Sequence, residues 1–120
     1  MSINSNVEEK KDELRLSVIR LLEENPDITQ RELAKRLGIS LGRINYSLKA
    51  LVEVGYVKTA RFRRSKNKFG YAYVLTPSGI RAKSQIMARF LSHKMREHEA
   101  LIVEIETLTR ELGESKRRDG

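Results

Sequence analysis

Residues 29–53 constrain the fold of this 120-residue chain more than any other segment. Thr29 and Glu32 have the spacing of a capping box, in which each side chain satisfies a free backbone amide at the start of a helix. Gly38 follows a short helical run, where a left-handed residue ends a helix, and Ser40 is placed to cap the next one. We therefore predict two helices joined by a short glycine-containing turn, the helix-turn-helix arrangement, with the second helix over residues 40–53.

Another helix precedes this motif, and a β-hairpin follows it. Apolar residues recur at helical spacing over residues 7–24, and Pro26 ends the pattern. Residues 56–62 and 71–75 have the composition of strands, and the polar residues 63–70 between them predict the hairpin tip. We expect Phe62, Tyr71 and Tyr73 to pack within the hairpin. The predicted fold class is therefore mainly α with a small β-hairpin, a winged helix-turn-helix.

A long helix is predicted after the hairpin. Thr76 can cap it, and Pro77 stands at the first helical position, where its missing amide proton costs nothing. Nothing stops the helix before Gly113, so it should extend roughly 54 Å, which is longer than a small domain is wide. A heptad pattern places one seam of side chains along it: Met87, Leu91, Lys94, His98, Leu101, Ile105, Leu108 and Leu112.

Such a seam needs a second surface, and another copy of the same helix is the simplest one. We therefore predict three parts: a winged helix-turn-helix DNA-binding domain over residues 7–76, a dimerisation helix over residues 77–112, and flexible tails at residues 1–6 and 113–120. The polar seam residues Lys94 and His98 are of the kind that set register and oligomeric state.

Basic side chains are concentrated after the helix-turn-helix. Residues 55–96 contain no acidic side chain and have a formal charge of +11, whereas residues 1–54 sum to zero and residues 97–120 to −3. A cationic block of this kind is expected in a protein that follows a phosphate backbone, because each neutralised phosphate releases counterions. The charge pattern therefore predicts nucleic acid as the partner.

The second helix of the motif has a core face and an outer face. Ile44, Leu48, Leu51 and Val52 form the predicted buried stripe. The cap and the outward-facing residues form the candidate recognition surface: Ser40, Leu41, Gly42, Arg43, Asn45, Tyr46, Ser47 and Lys49.

Several of these outer side chains suit base or phosphate contacts. Arg43 can form two hydrogen bonds to a guanine edge, and Asn45 can do the same with adenine. Tyr46 offers a hydroxyl to phosphate or a ring face to a thymine methyl, and Lys49 suits a phosphate. Gly42, which is unfavourable inside a helix, would let backbone approach phosphate closely. The alternative is an ordinary solvated helix face, although the absence of an acid before Glu53 argues against it.

The hairpin provides a second candidate surface. A basic wing of this kind lies along the phosphate backbone or places an arginine in the minor groove. The alternative is a solvated basic loop. The predicted wing residues are Arg61, Arg63, Arg64, Lys66, Asn67 and Lys68.

The sequence argues against several other functions. The chain has no cysteine, and His93 and His98 lie five residues apart on different helix faces, so a metal site is not expected. We find no nucleophile–base pair and no phosphate-cradling glycine loop, and we expect neither an enzyme nor a cofactor. The absence of an apolar span or a secretory signal leaves a cytoplasmic protein as the expectation.

The chain also resembles a known family. Residues 29–40, 48–51 and 55–57 are similar to the winged-helix core of MarR-type bacterial regulators. Residues 42–46, 62–68 and 70–77 resemble the small MarR-family regulators associated with exopolysaccharide biosynthesis loci. The resemblance covers about residues 12–112 and implies a dimeric DNA-binding transcription factor, with residues 41–43, 45 and 46 in the recognition helix. It leaves any small-molecule effector unknown, because the chain has one C-terminal helix where typical members have a pair.

Two other classes of function remain open. The basic surface would also suit an architectural or RNA-binding module that recognises shape rather than sequence. The leucine-rich and acidic residues 97–111 would also suit an adaptor that docks a partner protein.

Overall fold

The computed structural model describes the backbone of residues 2–65 and 68–119 and the side chains of residues 7–61 and 70–119. Within these residues the predicted fold class is confirmed: three helices and an antiparallel hairpin form a winged helix-turn-helix, and a long helix follows. The elements are α1 (Ser2–Glu24), α2 (Gln30–Leu37), α3 (Leu41–Glu53), β1 (Val57–Ser65), β2 (Lys68–Leu75) and α4 (Pro77–Asp119).

Local caps define the helix-turn-helix as predicted. The Thr29 hydroxyl accepts a hydrogen bond from the Glu32 amide at 3.1 Å, and the Glu32 carboxylate accepts one from the Thr29 amide at 3.4 Å. Gly38 has φ 66° and ψ 33°, the left-handed conformation that glycine adopts without strain. The Ser40 hydroxyl accepts from the Arg43 amide at 3.2 Å. These contacts fix where α2 ends and where α3 begins.

The core lies where α1, α2, α3, β1 and the base of α4 meet. It consists of Leu16, Val18, Ile19, Leu22, Ile28, Leu33, Ile44, Leu48, Leu51, Val57 and Ile86. The predicted inward position of Val52 is wrong, since this side chain is 39% exposed, and the predicted outward position of Ser47 is wrong, since it is 8% exposed. Ser47 lies within the stripe of residues 44, 48 and 51, whereas Val52 is turned about 100° away from Leu51.

The hairpin is longer than predicted. Its register pairs Val57 with Leu75 and Phe62 with Gly70, and it continues to Ser65 opposite Lys68 with an irregularity between residues 63 and 65. Most of the predicted tip therefore belongs to strands. Strand pairing satisfies backbone groups whatever the side chains are, so these basic residues could pair without an apolar signal.

The three aromatic residues of the hairpin differ in their packing. Tyr73 packs against the core, as predicted. The prediction for Tyr71 is wrong, because its side chain is 64% exposed. Tyr71 lies two residues nearer the tip, beyond the contact that Tyr73 makes with the helices. The side chain of Phe62 lies outside the described side chains.

The base of α4 is fixed against the winged helix, and its predicted start is confirmed. The Thr76 hydroxyl accepts from the Gly79 amide at 3.0 Å and donates to the Gly55 carbonyl at 2.5 Å. A side chain at Gly79 would collide with the carbonyl oxygen of Tyr56, so glycine allows this close approach. The direction in which α4 leaves the body is therefore set at its first turn.

An ion pair joins α4 to α1. Asp12 is 1% exposed, and its carboxylate accepts hydrogen bonds from Arg89 Nε and Nη2, each at 3.1 Å. These bonds raise the pKa of Arg89 above its usual value. Lys83 of α4 also pairs with Glu23 of α1. The first part of α4 is therefore held along α1.

Both long helices exceed their predicted bounds. α1 begins at Ser2 instead of Val7, and α4 continues past Leu112 through Gly113 to Asp119. An exposed glycine costs a helix only about 1 kcal/mol relative to alanine and does not end it alone. Basic residues in the last turn also favour the extension, because they interact well with the helix dipole.

The molecule is elongated as a result, with a longest extent of 78 Å. Within the described residues, no helix combines the length and apolarity needed to cross a membrane. The division into a DNA-binding part and a dimerisation helix stays a prediction.

Candidate nucleic-acid interface

The outer face of α3 is exposed at seven of the eight predicted recognition positions, Ser47 being the exception: Ser40, Leu41, Gly42, Arg43, Asn45, Tyr46 and Lys49. Tyr46 is 78% exposed and Leu41 44% exposed, although both are large apolar or aromatic side chains. The core stripe on the opposite side of α3 holds this face outward. The face therefore offers donors, a cation and apolar contacts to a partner, and its contact with nucleic acid stays a prediction.

Gly42 has no structural reason to be glycine within the described chain. Its φ is not in the left-handed region, and an added Cβ would meet only the Ser40 hydroxyl at 4.0 Å, an ordinary contact. Glycine weakens a helix interior, and the role predicted for it here, a close approach of the backbone to phosphate, stays a prediction.

A side-chain relay links α3 to α2 and to the hairpin. Asn45 Nδ2 donates to Gln30 Oε1 at 3.3 Å, and Gln30 Nε2 donates to the Tyr73 hydroxyl at 3.1 Å. The Tyr73 amide also donates to the Pro26 carbonyl at 3.1 Å. Gln30 therefore orients the Asn45 amide and fixes the hairpin beside α3, while a second Nδ2 proton and the oxygen of Asn45 stay available for a base.

Sequence reasoning missed Gln30. It stands 15 residues from Asn45 and 43 from Tyr73, and no local pattern relates such positions. The only local signal is its place next to the Thr29 cap at the first position of α2, which brings it close to the start of the turn.

The structure describes the predicted wing only in part. Arg61 is exposed on β1. Arg63, Arg64 and Lys68 belong to the paired strands, but their side chains lie outside the described side chains, and Lys66 and Asn67 lie outside the described residues. The contact of this wing with a nucleic-acid backbone stays a prediction.

A cavity of about 770 Å³ opens beside α3, between α1, α3 and α4. Four cationic side chains line it: Lys11, Arg15, Arg43 and Arg89. Tyr46 and Gln85 also line it, so one wall of the cavity is shared with the outer face of α3. A molecule bound there would contact both the long helix and the candidate recognition helix.

The seam of α4 lies apart from this surface. Met87 and Leu91 border a groove of about 520 Å³ together with Leu16 and Phe90. Further along, Leu101, Ile105, Leu108 and Leu112 are between 51% and 58% exposed. His98 is also exposed. The dimerisation role of this seam stays a prediction.

The two histidines lie on α4, at residues 93 and 98. Within the described residues, no group of three or more His, Asp or Glu side chains could hold a metal ion. His93 Nδ1 instead lies 2.8 Å from Arg96 Nη2.

Comparison with known proteins finds a family model that matches the helix-turn-helix part of this chain. Residues 11–58 match the family model of the winged helix-turn-helix DNA-binding domain. This match covers α1 from residue 11, α2, α3 and the start of β1. No curated protein has significant sequence similarity to the chain.

Solved structures of transcriptional regulators share the fold. MarR from E. coli, in its apo form, has a TM-score of 0.56 and 22% identity over 92% of this chain and 94% of that one. PcaV from Streptomyces coelicolor has a TM-score of 0.57 and 17% identity over 76% and 68%. A MarR regulator from Methanosarcina mazei has a TM-score of 0.52 and 19% identity over 91% and 87%. At these identities the likeness shows a shared fold.

Proposed function

We propose that this protein is a sequence-specific double-stranded DNA-binding transcriptional regulator of the MarR type. The observation that carries the proposal is the outer face of α3, whose exposed side chains include a cation, an amide and an aromatic hydroxyl and no acid before Glu53. Gln30 links Asn45 on this face to Tyr73 of the hairpin, which supports a recognition helix and a wing that act together.

Each exposed side chain has a role in this account. Arg43 reads a guanine edge and Asn45 an adenine edge in the major groove, where each base pair presents a distinct set of donors and acceptors. Tyr46 and Leu41 suit contacts to thymine methyl groups, and Lys49 neutralises a phosphate. The basic wing follows the backbone or enters the minor groove and adds affinity without much sequence information.

The regulator acts as a homodimer joined along α4. A two-fold dimer presents two recognition helices to successive major grooves, so the operator is an inverted repeat with half-sites about 10 bp apart or a multiple of that spacing. We also propose, from the resemblance of residues 42–46 and 62–77 to exopolysaccharide-associated regulators, that the protein acts in the bacterial cytoplasm on genes of exopolysaccharide biosynthesis.

Selection from mixed pools tests the DNA-binding proposal. The purified chain is incubated at fixed salt with random duplex DNA and random RNA, and the bound molecules are sequenced. We expect enrichment of one duplex motif with inverted symmetry. Equal retention of all duplexes would favour an architectural protein, and preferential retention of RNA would favour an RNA-binding module.

Mapping bound fragments of the host genome by immunoprecipitation tests the choice of target genes. Sites upstream of polysaccharide biosynthesis operons are the expected result. Sites elsewhere that still share an inverted repeat would overturn the target assignment and leave the DNA-binding proposal intact.

The cavity beside α3 supports a second proposed activity, the binding of a small organic anion that alters DNA affinity. Four cationic side chains line it, and Asp12, which neutralises part of that charge, is paired with both Arg15 and Arg89. PcaV, one of the similar structures, was solved in complex with its natural ligand. Because Arg43 and Tyr46 line the same cavity, an occupant would change the face that reads DNA.

Thermal unfolding with benzoate and with neutral benzamide at equal concentrations tests this second activity. We expect benzoate alone to raise the midpoint, and we expect Arg15→Ala to reduce the shift. Equal shifts with both compounds, or none with either, would contradict a site for anions.

A further inference from the structure

The part of α4 beyond its contact with α1 exposes an apolar stripe. Among the described residues, none after Ile86 is buried. Leu101, Ile105, Leu108 and Leu112 recur at intervals of four, three and four residues and are more than half exposed. This spacing keeps them on one line of a helix, as in a coiled coil.

The residues that flank this stripe have different charges on its two sides. Taking Leu101 and Leu108 as d positions and Ile105 and Leu112 as a positions, the g positions beside this stripe are the acidic residues Glu97, Glu104 and Glu111, and the next g position is Arg118. The e positions on the other side have no acid: Met95, Ile102, Thr109 and Lys116. The stripe is therefore acidic along one edge only.

That asymmetry distinguishes the two ways in which a pair of such helices can associate. In an antiparallel pair, g positions face g positions, so the glutamates of the two copies would oppose each other along the interface. In a parallel pair, each g position faces the e position five residues later in the second copy. Glu97 then meets Ile102, Glu104 meets Thr109, and Glu111 meets Lys116 with opposite charge.

We propose that two copies of this chain associate through a parallel, in-register coiled coil of α4 over residues 98–119. This inference rests on the homodimer proposed above and specifies how its helices run. The occupant of the apolar stripe is the identical stripe of the second copy, whose acidic edge faces the acid-free edge of the first.

Lys94 would interrupt the seam at its start, but its charge is already compensated. Its Nζ lies 3.6 Å from Glu9 Oε1 of α1 and 3.2 Å from Glu97 Oε2 of α4. The hydrogen bond to Glu97 raises the pKa of Lys94. The groove bordered by Met87 and Leu91 continues the apolar line below this ion-paired position.

The parallel orientation has a geometric consequence for DNA binding. The two-fold axis runs along the coiled coil, and both winged helices lie at the same end of it. An antiparallel pair centred on Ile105 would separate the two Met87 residues by about 54 Å along the axis, at 1.5 Å per residue. Recognition helices in major grooves on one face of the duplex need a separation of about 34 Å or a multiple of it, and about 54 Å matches neither one turn nor two.

Single cysteines test the orientation, since the natural chain has none. Ser115 is a d position near the end of α4, so in a parallel pair Ser115→Cys should form a disulfide between the two copies under mild oxidation. In an antiparallel pair centred on Ile105 these cysteines would lie about 30 Å apart and could not react. Arg110→Cys, on the outer face, is the matched control and should not cross-link in the dimer.

Reversing the charge of Glu111 should change the dimer dissociation constant in opposite directions for parallel and antiparallel helices. In the parallel pair Glu111→Lys replaces two symmetric attractions by repulsions, and we expect the dimer dissociation constant to rise about tenfold. Adding Lys116→Glu should restore it. In an antiparallel pair Glu111→Lys would instead relieve repulsion and tighten the dimer.

Sedimentation equilibrium of the unmodified chain shows whether a dimer forms, so it distinguishes a wrong helix orientation from the absence of a dimer. A dimer that is cross-linked by the Ser115→Cys substitution and weakened by Glu111→Lys supports the parallel coil. A dimer that shows neither effect overturns the orientation and leaves the proposed regulator standing. A monomer at micromolar concentration overturns both the coil and the homodimer, while selection of a DNA motif still reports separately on DNA binding.

Discussion

Two isoleucines on two helices show how differently the halves of this molecule use apolar side chains. Ile44 of α3 is 0% exposed, whereas Ile105 of α4 is 53% exposed. In the winged helix, the apolar side chains of α3 are largely used by the core, and its outer face has polar groups available to a ligand. In the second half of α4 the apolar side chains themselves are exposed and can contact another apolar surface. This difference is what the two proposals expect, namely a nucleic acid at the outer face of α3 and a second apolar helix at α4.

The largest expected effect comes from replacing these isoleucines in turn. Ile44→Ala removes a buried side chain and leaves a cavity, so it should lower the free energy of unfolding by about 2–5 kcal/mol at any protein concentration. Ile105→Ala should act through dimerisation and lower the midpoint mainly in dilute samples. Thermal unfolding over a hundredfold range of concentration measures both. Equal losses of stability in the two variants, independent of protein concentration, would contradict a role of Ile105 in dimerisation.

The next effect concerns base reading by α3. Arg43→Ala should weaken binding to the selected duplex by about 10–100-fold per half-site, as expected for the loss of one bidentate base contact of about 1–3 kcal/mol in each protomer. Random duplex should lose much less. Titration of labelled duplexes at one salt concentration measures the ratio. Lys49→Ala is the control, and it should weaken all sequences similarly because a phosphate contact has no sequence information.

Replacing Gly42 is expected to have a smaller effect, which raises the stability of the fold and lowers the affinity for DNA. Gly42→Ala should stabilise the fold by about 1 kcal/mol, because alanine favours a helix interior and the Cβ has room. It should nevertheless weaken DNA binding if backbone and phosphate approach closely here. Gly113→Ala is the matched control, since a Cβ there meets nothing within 4 Å and the position lies on α4, away from the outer face of α3. Stabilisation without loss of DNA affinity at Gly42 would remove this glycine from the interface.

The smallest effect on stability and base reading is expected from replacing Gln30, which links Asn45 to Tyr73. Gln30→Ala removes two hydrogen bonds and should cost about 1 kcal/mol of stability. It should also reduce discrimination at the base pair that Asn45 reads, because the amide loses its orientation. Tyr73→Phe removes only the outer bond and is expected to have the milder effect on specificity. Unchanged discrimination in Gln30→Ala would limit this residue to a structural role.

The parts of the fold that depend on neighbouring residues could be predicted from the sequence. The capping box at Thr29, the left-handed Gly38 and the start of α4 after Thr76 are local arrangements, and all three were predicted correctly. The error at Val52 arose because it adjoins Leu51 in sequence while facing away from the core. The end of α4 was missed because Gly113 was taken as a stop, although an isolated glycine costs a helix little.

Of the candidate interface, only the exposed face of α3 could be predicted from the sequence. The exposed positions of α3 follow from its period once the core stripe is known. The Asn45–Gln30–Tyr73 relay and the cavity between α1, α3 and α4 depend on how distant elements meet, which no local pattern encodes. The Asp12–Arg89 pair, 77 residues apart, belongs to the same class.

Affinity cleavage from α3 tests the central claim most directly, namely that the outer face of this helix enters the major groove in a two-fold dimer. A DNA-cleaving iron chelate would be attached to Ala50→Cys, an exposed position on α3, and the selected duplex would be analysed at nucleotide resolution. We expect two clusters of cuts, about 10 bp apart or a multiple, at the two half-sites. Uniform cutting along the duplex, or cutting from a chelate on Arg110→Cys but not from α3, would contradict it.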